Sequence, residues 1–373
     1  MTKDVWITGI GLVSSLGEGT GPHLAALCDP NHHPVLDEVS FAPWPIHPLP
    51  VLAYDKQISR RDLRQMEPWQ RLGVHAAGLA LDSAAAKPLA GEIDLIVAAG
   101  GGERDIGLDH AIFADLPAVA REAWLNQRIM AGLRPTLFLA QLPNLLAGSI
   151  TISHGVARSS RTLMGNELAG AEALRQAVLR IAHGASQMTL VGASTNPARW
   201  DELFCYATGG LTWRGPWQPV AERGGEGGFC VGGIGAFLLL EAADHARARG
   251  ATPFARLSHV GTGLAQQQGD DTAAASAEAL FAPLRHRLKP GALTFSAATG
   301  VARPTAEEAA FLATTNTIAP RFTGDLLGHG PEPSFPAAVA LAAMLAREGK
   351  APQSLVSGFG SWRGEALALV EAL

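Results

Sequence analysis

Short apolar runs alternate with alanine-rich stretches along the chain. The runs 5–8, 95–98, 188–191, 237–240, 293–295 and 355–356 are bounded by Gly, Ser or Pro, as expected of strands buried in a sheet. Between them, helices are expected over 61–84, 168–183, 272–282, 306–314 and 336–348. In the second, Ala171, Leu174, Ala177, Val178 and Ile181 fall on one apolar stripe. In the last, Pro336 suits a first turn and Gly349 a stop. The alternation predicts an α/β chain, and 42 glycines with many alanines let its helices pack close between sheets.

At 373 residues the chain is long enough for a large core, and its length suggests two domains. With 47% hydrophobic and 17% charged residues, it reads as globular with broad buried interfaces. A net charge of -5 gives no support for nucleic acid as partner. Cys28, Cys205 and Cys230 are scattered without metal-ligand spacing, which fits a reducing compartment. His32, His33 and His154 have no acids or cysteines arranged to complete a metal site. No metal or cofactor is expected. No apolar run is long enough to span a bilayer and no leader opens the chain, so a cytoplasmic location is expected. Gly9-Ile10-Gly11-Leu12-Val13-Ser14 approaches a dinucleotide fingerprint but lacks its third glycine, and reads better as a strand-to-helix turn.

Five or more motifs occur in order. They are D-V-W-I-T-G-I-G-L-V-S-S-L-G (4–17), G-S-I-T-I-S-H-G-V (148–156), T-L-M-G-N-E-L-A-G-A-E-A-L (162–174), G-G-F-C-V-G-G-I-G-A-F-L-L-L-E (227–241), D-H-A-R-A-R-G-A (244–251) and S-G-F-G-S-W-R-G (357–364). Together they resemble the β-ketoacyl-acyl carrier protein synthases, the condensing enzymes. The resemblance implies a thiolase-type fold, a duplicated five-layered α-β-α-β-α architecture that pattern alone does not separate from a doubly wound sheet. The halves are expected at 1–240 and 241–373, with the glycine-rich run 223–233 as an active-site loop.

The resemblance also implies that the reactive groups are gone. Where the family's nucleophilic cysteine belongs stands Glu167; S-A-A-T-G-V-A-R-P (296–304) puts Thr299 at the first histidine. P-R-F-T-G-D-L-L-G (320–328) puts Asp325 at the second, with Pro320 at the lysine. A carboxylate does not replace a thiolate as acyl acceptor, because an anhydride is far less stable than a thioester. The histidines donate hydrogen bonds to the thioester carbonyl and stabilise the enolate. Thr299 retains one donor, while an ionised Asp325 would repel the anion. Glu167 at a helix mouth is favoured by free N–H groups and the dipole. Its burial demands a partner, with Arg303 or Arg161 expected, or a raised pKa. His329, four residues beyond Asp325, is expected as a solvated loop residue.

A homologue that has lost its chemistry but kept a broad interface turns a symmetric dimer into a heterodimer. The resemblance thus implies a chain length factor, or ketosynthase β subunit. It would pair with an active β-ketoacyl synthase and wall the acyl tunnel, here of the aryl polyene type. Phe138, Met164, Phe204 and Phe359 are the pocket-lining candidates. Arg60, Arg61 and Arg64 are candidates for contact with an acidic acyl carrier protein, or else form a solvated helix face. Two other readings stay open. One is an acyl-thioester hydrolase or dehydratase using Glu167 and Asp325 as split-pKa acid and base; the other is a homodimeric acyl-binding scaffold.

Overall fold

The computed structural model describes residues 2–102, 104–135, 137, 141–264, 273–362 and 364–373. Its strands are β1 (Val5–Ser14), β2 (Gly17–Glu18), β3 (Asp94–Ala98), β4 (Ser159–Leu163), β5 (Met188–Thr195), β6 (Ile234–Ala242), β7 (Ala255–Gly263), β8 (Leu293–Ser296), β9 (Arg321–Phe322), β10 (Gln353–Phe359) and β11 (Glu365–Glu371). The helices that frame the argument are α1 (Pro68–Ser83), α2 (Asn144–His154), α3 (Asn166–Ala182), α4 (Trp200–Thr208), α5 (Ala273–Phe281), α6 (Ala302–Leu312), α7 (Thr323–Leu327) and α8 (Ser334–Arg347).

Strand order repeats. Outward from the centre, one arm runs β1-β6-β5-β3-β4 and the other β7-β11-β10-β8-β9. In each arm the first two pairings are antiparallel and the last two parallel. Among the described residues, the two arms are joined by strand pairing where Trp6 pairs with Arg256 and Ile7 with Ala255.

Three apolar clusters separate the layers. The outer face of the first arm packs α1 and α2 through Leu72, Ala76, Leu146 and Ile150. The outer face of the second packs α5 and α6 through Ala277, Phe281 and Phe311. Between the arms, α3 and α8 touch both through Ala171, Leu174, Val339 and Leu341. The result is the five-layered thiolase-type arrangement, with α8 buried almost throughout. A helix so sheathed is apolar on every side, as its sequence S-F-P-A-A-V-A-L-A-A-M-L-A-R shows. Small residues set the spacing: a Cβ on Gly170 of α3 would lie 2.0 Å from the Glu332 carbonyl oxygen.

Most expected elements are present with longer bounds. The 61–84 helix is broken instead, into Arg60–Leu63 and α1, because Pro68 opens a new helix and Gln70 Oε1 accepts from the Glu67 N–H. The 306–314 helix starts earlier, at Ala302. Most of 148–156 is the end of α2, and the strand β4 follows it. Gly349 does stop α8, at φ +68.

Candidate active site

The site is built where β4 hands over to α3. Leu163 ends the strand, Gly165 takes φ +142 and Asn166 φ +51. Asn is among the few side chains that tolerate the left-handed region. That tight turn sets Glu167 in the first helical turn, pointing back toward the loops of the second arm.

Glu167 is 14% exposed and well partnered. Its Oε1 accepts from the Ser361 Oγ at 2.8 Å and the Ser361 N–H at 3.3 Å, and lies 3.2 Å from His329 Nε2. Burial pushes its pKa up, but the His329 hydrogen bond and charge, its own N–H and Ser361 outweigh that, leaving it below the ordinary value. The expected arginines are not its partners: Arg303 pairs with Glu307, and Arg161 lies exposed on β4.

His329 corrects the expectation of a solvated histidine, being 2% exposed. Gly328 takes φ +72 and ends α7, and a Cβ there would lie 2.7 Å from Gly232 Cα. The chain therefore turns inward. The His329 N–H donates to the Cys230 carbonyl and its own carbonyl accepts from the Gly232 N–H. Phe229 lies against the ring, centroids 4.9 Å apart. His329 Nδ1 faces Ser334 Oγ at 3.3 Å. Sequence offered only the four-residue spacing from Asp325 as a signal.

The two positions that the motifs assign to histidines have other hydrogen-bond partners. Thr299 is buried, and its Oγ1 accepts from the Val301 N–H, closing a local turn. Asp325 Oδ1 accepts from the Val220 N–H at 2.7 Å. Burial raises the Asp325 pKa, opposed by that N–H and by Arg223.

A small, partly open cavity of about 10 Å3, room for roughly one water, is lined by Glu167, Ser334, Phe335 and Phe359 among others. Phe359 is thus the one expected pocket residue found there. Met164 and Phe204 are 67% and 65% exposed and are not among its lining residues, and Phe138 lies outside the described residues. Arg60, Arg61 and Arg64 are all exposed. His154 Nε2 faces the Val74 carbonyl at 2.8 Å. No cluster of three metal-ligating side chains occurs among the described residues. Nor, among those residues, is any helix long and apolar enough to cross a membrane.

A second acid sits behind the first. Glu332 is buried beside Gly100, whose Cβ would fall 2.8 Å from Glu332 Oε1. Burial, and then the charges of Glu202 and Glu167, push its pKa up to about 8. Tyr206 donates to Glu202 at 2.6 Å.

This fold and these motifs place the chain in the beta-ketoacyl synthase family, whose N-terminal domain matches residues 52–245. Among curated proteins it is similar to "Putative polyketide beta-ketoacyl synthase 1" of Streptomyces halstedii, 30% identical over 134 residues. That alignment spans 34% of this chain and 31% of the relative. Among solved structures it shares its fold with the ishigamide ketosynthase/chain length factor, at TM-score 0.79 and 17% identity, over the whole of both chains. A type II polyketide acyl-carrier protein in complex with its ketosynthase bound to the hexaketide gives TM-score 0.78 and 20% identity, again over both chains. A beta-ketoacyl synthase from Burkholderia phymatum gives 0.78 and 18%, with the same coverage.

Proposed function

We propose that this chain is a condensation-incompetent chain length factor, pairing with an active β-ketoacyl synthase in a type II polyketide-like system. The aryl polyene type is the narrower form of that reading. The observation that carries it is Glu167, an ionised carboxylate held by His329 and Ser361 where the motif calls for a thiolate. A carboxylate so held does not accept an acyl group as a thioester. Pairing is supported by β4, the outermost strand of its arm, with Met164 and Ile152 exposed nearby. Open strand edges and exposed apolar side chains favour association.

The acid–base alternative built on Glu167 and Asp325 loses support, because Asp325 is turned to the Val220 N–H. We read the repeated strand order as two halves joined near residue 240, within the last turns of β6. Arg60, Arg61 and Arg64 remain the carrier-protein contact proposed for the complex. Native mass spectrometry of the tagged chain purified from its own host tests the reading. A one-to-one complex with a cysteine-bearing ketosynthase is expected; a homodimer alone would contradict it and favour the scaffold.

A further inference from the structure

Ser334, His329 and Glu167 form a continuous relay. Glu167 Oε1 lies 3.2 Å from His329 Nε2, and His329 Nδ1 lies 3.3 Å from Ser334 Oγ. An ionised carboxylate on Nε2 holds the proton there and leaves the Nδ1 lone pair facing the serine hydroxyl. Ser334 opens α8, and its Oγ accepts the Gly330 N–H at 2.9 Å. Helix start and N–H donor both favour negative charge developing on that oxygen. Ser334 and Glu167 line the same small cavity. Nothing in the family motif calls for a nucleophile at this position.

We propose that Ser334 is a nucleophile with His329 as its base and Glu167 as the residue that positions His329, and that the site cleaves short acyl thioesters. Ser334 Oγ attacks the acyl carbon while its proton passes to His329 Nδ1. The carbon–sulfur bond breaks, and the thiol leaves with that proton. Water then attacks the acyl-serine ester, giving its proton to Nδ1; Ser334 recovers it and the carboxylic acid departs. The cavity sets the size limit, since Leu168, Phe335 and Phe359 leave space on the scale of one water. Only the shortest acyl groups match a space of that size. This activity does not depend on whether the chain pairs with a ketosynthase.

The test uses the full chain and S-acetyl-N-acetylcysteamine, followed by peptide mapping on acid-quenched samples and by thiol release. An acetyl group on Ser334 is expected, with thiol release reduced about 100-fold or more in Ser334→Ala. The octanoyl analogue is expected to react far more slowly. Glu167→Gln should lower the rate, because His329 loses the carboxylate that fixes its ring. Wild-type protein carrying no acetyl group on Ser334 would overturn the proposal, whether or not the alanine variant folds. Thiol release unchanged in a folded Ser334→Ala would also overturn it.

Discussion

Two buried carboxylates, one in each arm of the sheet, meet opposite fates. Glu167, at the start of α3, faces a histidine and a serine and stays ionised. Glu308, on α6, is buried deeper and accepts from Ser296 Oγ, Ser357 Oγ and the Phe359 N–H. Burial raises its pKa nonetheless, the three hydrogen bonds opposing without reversing the shift. The difference lies in charge. Neutral hydroxyl and amide donors satisfy a buried acid without repaying the desolvation of its ion, whereas the His329 contact does so in part. Glu308 therefore reads as a brace between β8, α6 and β10, and Glu167 as a group whose charge is kept.

The largest effect should come from breaking the brace. Glu308→Ala leaves the Phe359 N–H without its partner and opens a cavity, and should cost about 3–5 kcal/mol. Glu308→Gln should cost markedly less. Urea denaturation monitored by circular dichroism measures both, and a Glu308→Ala protein as stable as wild type would remove the contrast.

The next effect is pH-dependent and belongs to Glu332. Its folded pKa, about 8, lies above the ordinary 4.5, so the native state holds this proton more firmly than the unfolded chain does. Its contribution to stability is then fully present below pH 4.5 and lost as pH rises toward 8. Glu332→Gln should flatten that decline. Midpoints measured at pH 6 and pH 9 check the sign, since an unchanged slope in the variant would exonerate Glu332.

The smallest effect concerns Glu167. Its lowered pKa gives stability that is present above the ordinary 4.5 and lost as pH falls through the folded value. Glu167→Ala should cost about 1–3 kcal/mol at pH 7, a cost that fades in acid. A variant equally stable at both pH values would show that the His329 contact contributes nothing.

Only the Glu167 side of this contrast was legible in the sequence. Glu167 stood out because the motif on either side of it is kept, and the buried runs of β1, β3, β5 and β6 marked the first arm. Strands with polar residues stayed hidden. β4 reads S-S-R-T-L along an edge, and β7 carries Arg256, Ser258, His259 and Thr262. Their partners lie far off in the chain, so pairing rather than propensity decides them. β11, E-A-L-A-L-V-E, alternates openly but followed a loop that drew attention to itself.

His329 was missed for a related reason. The residues after it, Gly330-Pro331-Glu332-Pro333, look like an exposed loop. Two backbone hydrogen bonds to the Cys230–Gly232 segment instead draw this turn into the core. A contact made across a sequence gap of nearly a hundred residues leaves no local trace. The expected arginine partners for Glu167 failed likewise, because Arg303 finds Glu307 one turn along its own helix.

Difference infrared spectroscopy of wild type against Glu167→Gln at pH 7 tests most directly whether position 167 holds an ionised carboxylate in place of a nucleophile. The account predicts that the variant loses carboxylate absorption while the carboxylic-acid band is unchanged. Loss of the carboxylic-acid band instead would show Glu167 neutral, and would contradict both its pairing with His329 and the role built on it.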